Sequence, residues 1–283
     1  MKQQPSRVTR LRGHSDEGRW VAWGGLPDPR LRPHVLRYVG YAANSAQPLA
    51  RREAPGTVIP LEIAFDAPYG IRALDTLDAH ERPVAHDAFL GGLSDRATVV
   101  TAGVRERCIQ VDFTPLGARR FLGAPMDTVA HRTVDLSDLL GPSLELLRER
   151  LLETDSWSAR FALLDAILLA RMGSMAVTDE VAWAWEQLRR SHGTVRVGAL
   201  TSQLGWTRRR LGAAFREEVG LTPKPFARLL RFEEARRRLG LGEPAIAVAA
   251  STGYSDQAHM VREFSALAGV TPARESTELP LEE

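Results

Sequence analysis

At 283 residues the chain is long enough for two domains, and its single cysteine, Cys108, excludes an internal disulfide and a cysteine-based zinc site. Hydrophobic residues at 44% and charged residues at 25% exclude a disordered or fibrous chain and describe an ordinary globular one. The net charge of +2 hides a division: residues 1–180 carry 22 basic and 23 acidic side chains, a balance of −1, whereas residues 181–274 carry 15 and 8, a balance of +7, so a polyanion-binding part is expected beside something else.

The opening MKQQPSRVTRLRGHSDEG lacks the apolar stretch of a signal peptide. The longest apolar run, residues 161–170, is interrupted by Asp165 and is too short to span a bilayer. A cytoplasmic protein is expected.

Residues 1–136 read as mostly β. Short apolar runs at 57–66, 70–74, 88–93, 98–104 and 107–113 lie between Pro, Gly and Asp punctuation, the spacing of a small barrel or sandwich. In the last run Cys108, Gln110 and Asp112 alternate with Ile109, Val111 and Phe113, which predicts a half-buried strand. Residues 31–41 fit either a strand or a helix with Val35, Tyr38 and Val39 on one face. Trp20, Trp23, Tyr38 and Tyr41 cluster in sequence and read either as core or as the lining of an apolar cavity for a small effector. His14, His34, His80, His86 and His131 form no HxH, HxxxH or HExxH arrangement, no GxSxG occurs, and Gly24-Gly25 and Gly91-Gly92 make no phosphate loop. No catalytic residue, metal or cofactor is therefore assigned. A cluster of His and carboxylates inside the β part would favour an enzyme; an apolar pocket would favour a sensor.

Residues 137–193 turn helical and connect the two parts. Leu140, Leu144, Leu147 and Leu151 recur at helical spacing, and Trp157, Phe161, Leu164 and Leu168 repeat the rhythm in a second helix. Gly173-Ser174 breaks it, and Thr178-Asp179 can cap a third helix carrying Val181, Trp185 and Leu188. These helices read equally as core-facing or as a homodimer interface.

Residues 194–275 contain one pattern twice. Val197, Leu200 and Leu204 form a short helix, Gly205-Trp206 a turn, Thr207 a cap, and Leu211, Ala214 and Phe215 a buried stripe closed by Gly220, Leu221, Thr222 and Pro223. Ala245, Val248, Ala249 and Thr252 open the second copy. Gly253-Tyr254 turns, Ser255 is the expected cap, a stripe including Met260, Phe264 and Leu267 follows, and Gly269, Val270, Thr271 and Pro272 close it. Gln257, His259, Arg262 and Glu263 are left on the outer face. Two helix-turn-helix units are predicted, joined by a helix over residues 225–239 of roughly 20–25 Å, long enough to hold two reading helices about one DNA turn, ~34 Å, apart. Arg209 and Arg262 are the expected base readers and Arg208 and Arg210 the flanking phosphate contacts. Gln257 suits adenine, and His259 a phosphate or structural contact. The Arg236-Arg237-Arg238 run reads as a solvated face, with DNA contact as its alternative. Residues 276–283 form an acidic tail.

The stretch GYSDQAHMVREFSALAGVTP, with LGWTRRRLGAAFREEVGLTP upstream, resembles the DNA-binding domain of the AraC/XylS family of transcription regulators over about residues 195–275. The run from FLGGLSDRATVV to VDLSDLLG is similar, less specifically, to the N-terminal part of a subgroup of these regulators. The resemblance implies an α+β chain: a β-rich, cupin-like N-terminal barrel or sandwich, a helical connection, and an all-α seven-helix domain with two helix-turn-helix units. Its groove-facing positions fall on Arg209, Gly212 and Ala213, and on Gln257, Ala258, Val261 and Arg262. Gly212, Ala213, Ala258 and Val261 lack a hydrogen-bonding side chain and would read thymine methyls or shape. Double-stranded DNA, a small effector and a second copy of the chain are the expected partners, with RNA polymerase left open. A regulator without effector, or an enzyme fused to a DNA-binding domain, are the competing readings.

Overall fold

The computed structural model describes residues 8–15, 18–73, 83–173 and 177–278. Its N-terminal half pairs two antiparallel sheets. The larger sheet, in spatial order, joins β1 (Val8–Ser15), β2 (Gly18–Gly25), β3 (Val35–Ser45), β10 (Arg105–Phe113), β5 (Ile59–Ala64), β8 (Ala88–Gly91) and β11 (Thr133–Asp135). The smaller joins β4 (Leu49–Glu53), β9 (Thr98–Ala102), β6 (Tyr69–Ala73) and β7 (Val84–His86). The β-rich reading of this half therefore holds, and each of the five expected strands is present.

The ambiguity at residues 31–41 has a physical origin. The register between β3 and β10 shifts where Asp112 faces Arg37 and Phe113 faces Val35, leaving Leu36 as an extra residue. This bulge puts Val35 and Tyr38, three apart, on one buried face, which mimics helical spacing. The strand β10 is not half-buried as its alternation predicts. Ile109, Val111 and Phe113 face covering helices, while Cys108 faces the smaller sheet, so both sides are shielded.

One face of the large sheet is covered by α1 (Pro115–Leu122), α2 (Leu136–Leu140), α3 (Ser143–Glu153) and α4 (Trp157–Arg171). Thr114 caps α1, accepting from the Gly117 amide at 3.0 Å, with Pro115 in the first turn. The leucine rhythm from Leu140 is split between α2 and α3 by Gly141, whose positive φ of 55° ends the first helix. Leu144 and Leu151 are buried in the main core, with Leu147 packed against it, so this rhythm is taken up inside the chain. Trp157 and Phe161 of α4 approach the sheet closely: a Cβ on Gly40 would lie 2.2 Å from the Trp157 ring, so only glycine admits that contact. Asp165, which interrupts the apolar run of α4, accepts from the Tyr38 hydroxyl at 2.9 Å and the Asp28 amide at 2.8 Å. A buried carboxylate is tolerated because it is bonded.

Seven helices complete the described chain: α5 (Asp179–Arg190), α6 (Val197–Leu204), α7 (Arg208–Val219), α8 (Pro223–Gly240), α9 (Ala245–Ser251), α10 (Gln257–Ala268) and α11 (Pro272–Glu278). Thr178 precedes α5, but its amide and hydroxyl both donate to the Glu218 carboxylate of α7 instead of capping the helix. One apolar core runs continuously from the large sheet through α4 and α5 into α7 and α8.

Candidate nucleic-acid interface

In the first unit, α6 ends at Gly205 with φ 64°, a left-handed conformation that glycine adopts without a Cβ clash. Thr207 then caps α7 by accepting from the Arg210 amide at 3.2 Å. Leu211, Phe215 and Val219 bury the inner stripe, which turns Arg208, Arg209, Arg210 and Ala213 outward. The Arg210 guanidinium lies 4.0 Å from the Trp206 ring centroid, a cation–π contact that holds it beside the turn. Among the described residues none of these three arginines has an ion-pair partner. Three unneutralised guanidinium groups share the first turn of one helix. A Cβ on Gly212 would meet nothing within 4 Å, so no packing inside the chain requires glycine there.

The second unit repeats this plan with two departures from the sequence reading. The turn again holds a left-handed glycine, Gly253 with φ 83°. The cap is Asp256, not Ser255: its carboxylate accepts from the His259 amide at 2.7 Å. Ser255 instead bonds to Asp256 and sits 3.1 Å from Nδ1 of His259, whose ring packs edge-on to Tyr254 at 5.5 Å. These contacts tie the His259 ring to the turn. The bond from the His259 amide, then the bond with Ser255 and the nearby Arg262 charge, hold Asp256 below the usual carboxylate range.

Glu263 is the second departure. It faces inward and is clamped by Arg228 Nε at 2.6 Å and Arg231 Nη2 at 3.2 Å, both from α8. The Phe264 ring packs at a tilt against Phe232 of α8, ring centroids 4.8 Å apart. These contacts fix α10 to the spacer helix. Gln257, Ala258 and Arg262 remain exposed and Val261 half-buried, and Arg262 has no ion-pair partner among the described residues. The spacer α8 has 18 residues, three longer than the predicted span, which makes it about 27 Å long.

The arginine run on α8 is neutralised within the chain. Arg236 pairs with Glu275 at 2.8 Å, Arg237 with Glu234 at 2.8 Å, and Arg238 with Glu243 at 2.6 Å. Arg208, Arg209 and Arg210 in the first turn of α7 and Arg262 in the second turn of α10 remain exposed without an ion pair among the described residues.

The N-terminal half does not gather its four early aromatics into one place. The register of β2 and β3 sends Trp23 and Tyr38 to the helix-covered face, where Trp23 stacks on Trp157 and Tyr38 on Phe161. Trp20 and Tyr41 alternate to the opposite face. A sequence cluster with both parities along a strand cannot line one cavity. Between the two sheets lies a polar group that sequence reasoning missed. Arg51 grips Glu106 with two bonds of 2.6 and 3.0 Å, and the Tyr69 hydroxyl donates to the same carboxylate at 2.9 Å. Glu62 faces this space, and burial pushes its carboxyl up to about 7. His86, one of the histidines considered above, sits at the rim, 3.2 Å from Asp135; His80 and the side chain of His14 lie outside the described residues. Alternation along four strands could have indicated this interior, but only once their pairing was known.

Two short, similar helical pairs, each presenting the start of its second helix, joined by a stiff helix, define a double helix-turn-helix unit. Residues 200–276 match the family described as a helix-turn-helix domain, so the chain carries an AraC-type helix-turn-helix domain at its C-terminal end. Over 84 residues the chain is 32% identical to the uncharacterized HTH-type transcriptional regulator YbfI of Bacillus subtilis, a match covering 29% of this chain and 30% of that protein. Among solved structures it is similar to ToxT from Vibrio cholerae, with 12% identity and a TM-score of 0.47 over 86% of this chain and 98% of that one. It is also similar to the C-terminal domain of AraT from Geobacillus stearothermophilus, with 20% identity and a TM-score of 0.34 over 38% and 91%.

Proposed function

We propose that the chain is a sequence-specific DNA-binding transcription regulator that places α7 and α10 in neighbouring major grooves on one face of a duplex. The observation that carries this is the distribution of free charge. Arg208, Arg209 and Arg210 on α7 and Arg262 on α10 lie exposed without an ion pair among the described residues, while Arg236, Arg237 and Arg238 of α8 are neutralised internally. In this reading Arg209 and Arg262 take guanine edges, Gln257 takes adenine, Ala258 and Val261 meet thymine methyls, and Arg208 and Arg210 hold phosphates. Gly212 and Ala213 let the first helix seat closely.

The N-terminal half serves as a sensor for a small effector, and the chain acts in the cytoplasm as a homodimer. RNA polymerase contact would come from a face away from the DNA. The enzyme reading is disfavoured by the inter-sheet space, whose Glu106 is fully engaged by Arg51 and Tyr69.

The test is binding of the full chain to a duplex selected from random sequence, compared with unselected DNA. Arg262→Ala is expected to weaken the selected duplex by about ten- to hundredfold, the worth of one bidentate base contact at ~1–3 kcal/mol, and unselected DNA far less. Equal losses on both would reject base readout by this residue.

A further inference from the structure

The two helix-turn-helix units repeat each other in space with a definite register. The helices α7 and α10 each hold 12 residues, and each starts directly after its capping residue, Thr207 or Asp256. The fourth and eighth residues are buried in both, Leu211 and Phe215 in one, Met260 and Phe264 in the other, and a left-handed glycine, Gly220 or Gly269, ends each helix. The third residue packs on the turn aromatic in both. Arg210 lies 4.0 Å from the Trp206 ring centroid, and the His259 ring centroid lies 5.5 Å from that of Tyr254. The turns themselves differ by one residue: the cap stands two places after Gly205 and three places after Gly253. Counting from the turn glycines therefore misaligns the helices, whereas counting from the caps brings every one of these contacts into step.

With the caps aligned, the free guanidinium groups fall at different places. The second position is Arg209 in α7 and Ala258 in α10; the sixth is Ala213 in α7 and Arg262 in α10. All four are exposed, and each helix has an arginine where the other has an alanine. The companions of Arg209 are held elsewhere. Arg210 sits on Trp206, and Arg208 Nη2 turns back over α6, 3.5 Å from where a Cβ on Gly198 would stand. Positions two and six are i and i+4, so they share one helix face, about 6 Å apart along the axis. A reading helix in the major groove steps about one base per three residues, so four residues span about one to two base pairs.

We infer that the two units make their guanine contacts out of step, Arg209 from the first turn of α7 and Arg262 from the second turn of α10. The two guanines recognised, on either strand, then lie at a spacing that differs from the spacing of the helices by about one to two base pairs. Which of the two positions carries the arginine sets where each half-site holds its guanine. This offset presupposes that α7 and α10 enter major grooves, as proposed above.

The test is selection of duplexes from random sequence by the full chain, with hydroxyl-radical footprints locating the two helices on the selected site. The parent chain is expected to enrich two guanines whose spacing departs by one to two base pairs from that of the footprint centres. Arg209→Ala with Ala213→Arg moves the guanidinium by one turn, so one enriched guanine shifts by one to two base pairs and the other stays. Ala258→Arg with Arg262→Ala shifts the other guanine and leaves the first. Circular dichroism matching the parent chain shows that each variant is folded. Guanines spaced as the footprint centres are, guanines that stay in place in both variants, or loss of all enrichment by both folded variants would overturn the offset and leave the regulator reading standing. Failure of the parent chain to enrich any duplex would overturn the regulator reading and the offset with it.

Discussion

Glu62 lies on β5 facing the smaller sheet, and burial, ahead of the neighbouring Glu106 charge, pushes its carboxyl up to about 7 against bonds to Cys108 and Tyr69 that pull it down. Its folded-state value is raised, so folding favours the protonated form. The stabilisation is fully present below the ordinary value of about 4.5 and is lost as pH rises through about 7. Glu62→Gln is therefore expected to flatten the fall in stability between these values, an effect on the order of 2–3 kcal/mol in urea unfolding. An unchanged slope would show that Glu62 is not buried as an acid. At this scale the sequence speaks unevenly. Arg208, Arg209 and Arg210 follow a capping threonine and precede an apolar stripe, so their exposure is legible from spacing alone. Glu263 occupies a position that reads as outward, and it turns inward because Arg228 and Arg231, more than thirty residues away in sequence, reach it. Asp256 displaces Ser255 as the cap because either side chain suits the role, and the choice depends on one residue of helix length.

The element that decides the geometry of the interface is α8. The span predicted over residues 225–239 misses two residues at the start of α8 and one at its end, and its role as a clamp lies in side-chain pairing. Glu263 is half-buried between two arginines, and removing it leaves two guanidinium groups side by side without their shared partner. Glu263→Ala is expected to destabilise the chain by about 1–2 kcal/mol, to speed amide exchange selectively in α10, and to lower affinity for the selected duplex. Exchange accelerated evenly along the chain, or a change in stability below about 0.5 kcal/mol, would contradict a clamp. The aromatics of β2 and β3 illustrate the opposite limit. Their proximity in sequence was evident, yet strand parity separates them: Trp20 and Trp23, like Tyr38 and Tyr41, are three residues apart and fall on opposite faces.

Across the whole molecule the two halves are bound by buried polar contacts as well as apolar packing. Glu233 of α8 accepts from the Thr57 amide at 2.6 Å and hydroxyl at 2.8 Å, and burial holds its carboxyl above the usual range. A Cβ on Gly56 would lie 2.8 Å from that carboxylate. Nothing in the sequence joins residue 57 to residue 233, whereas the charge division between the halves was visible from counting. The central claim is that two similar helices read one duplex together. Hydroxyl-radical footprinting of the full chain on its selected duplex measures this directly. Two protected segments about ten base pairs apart on one face are expected, doubled if the chain binds as a dimer, with Arg209→Ala clearing one segment and Arg262→Ala the other. A single protected segment, or variants that weaken all protection alike, would contradict it.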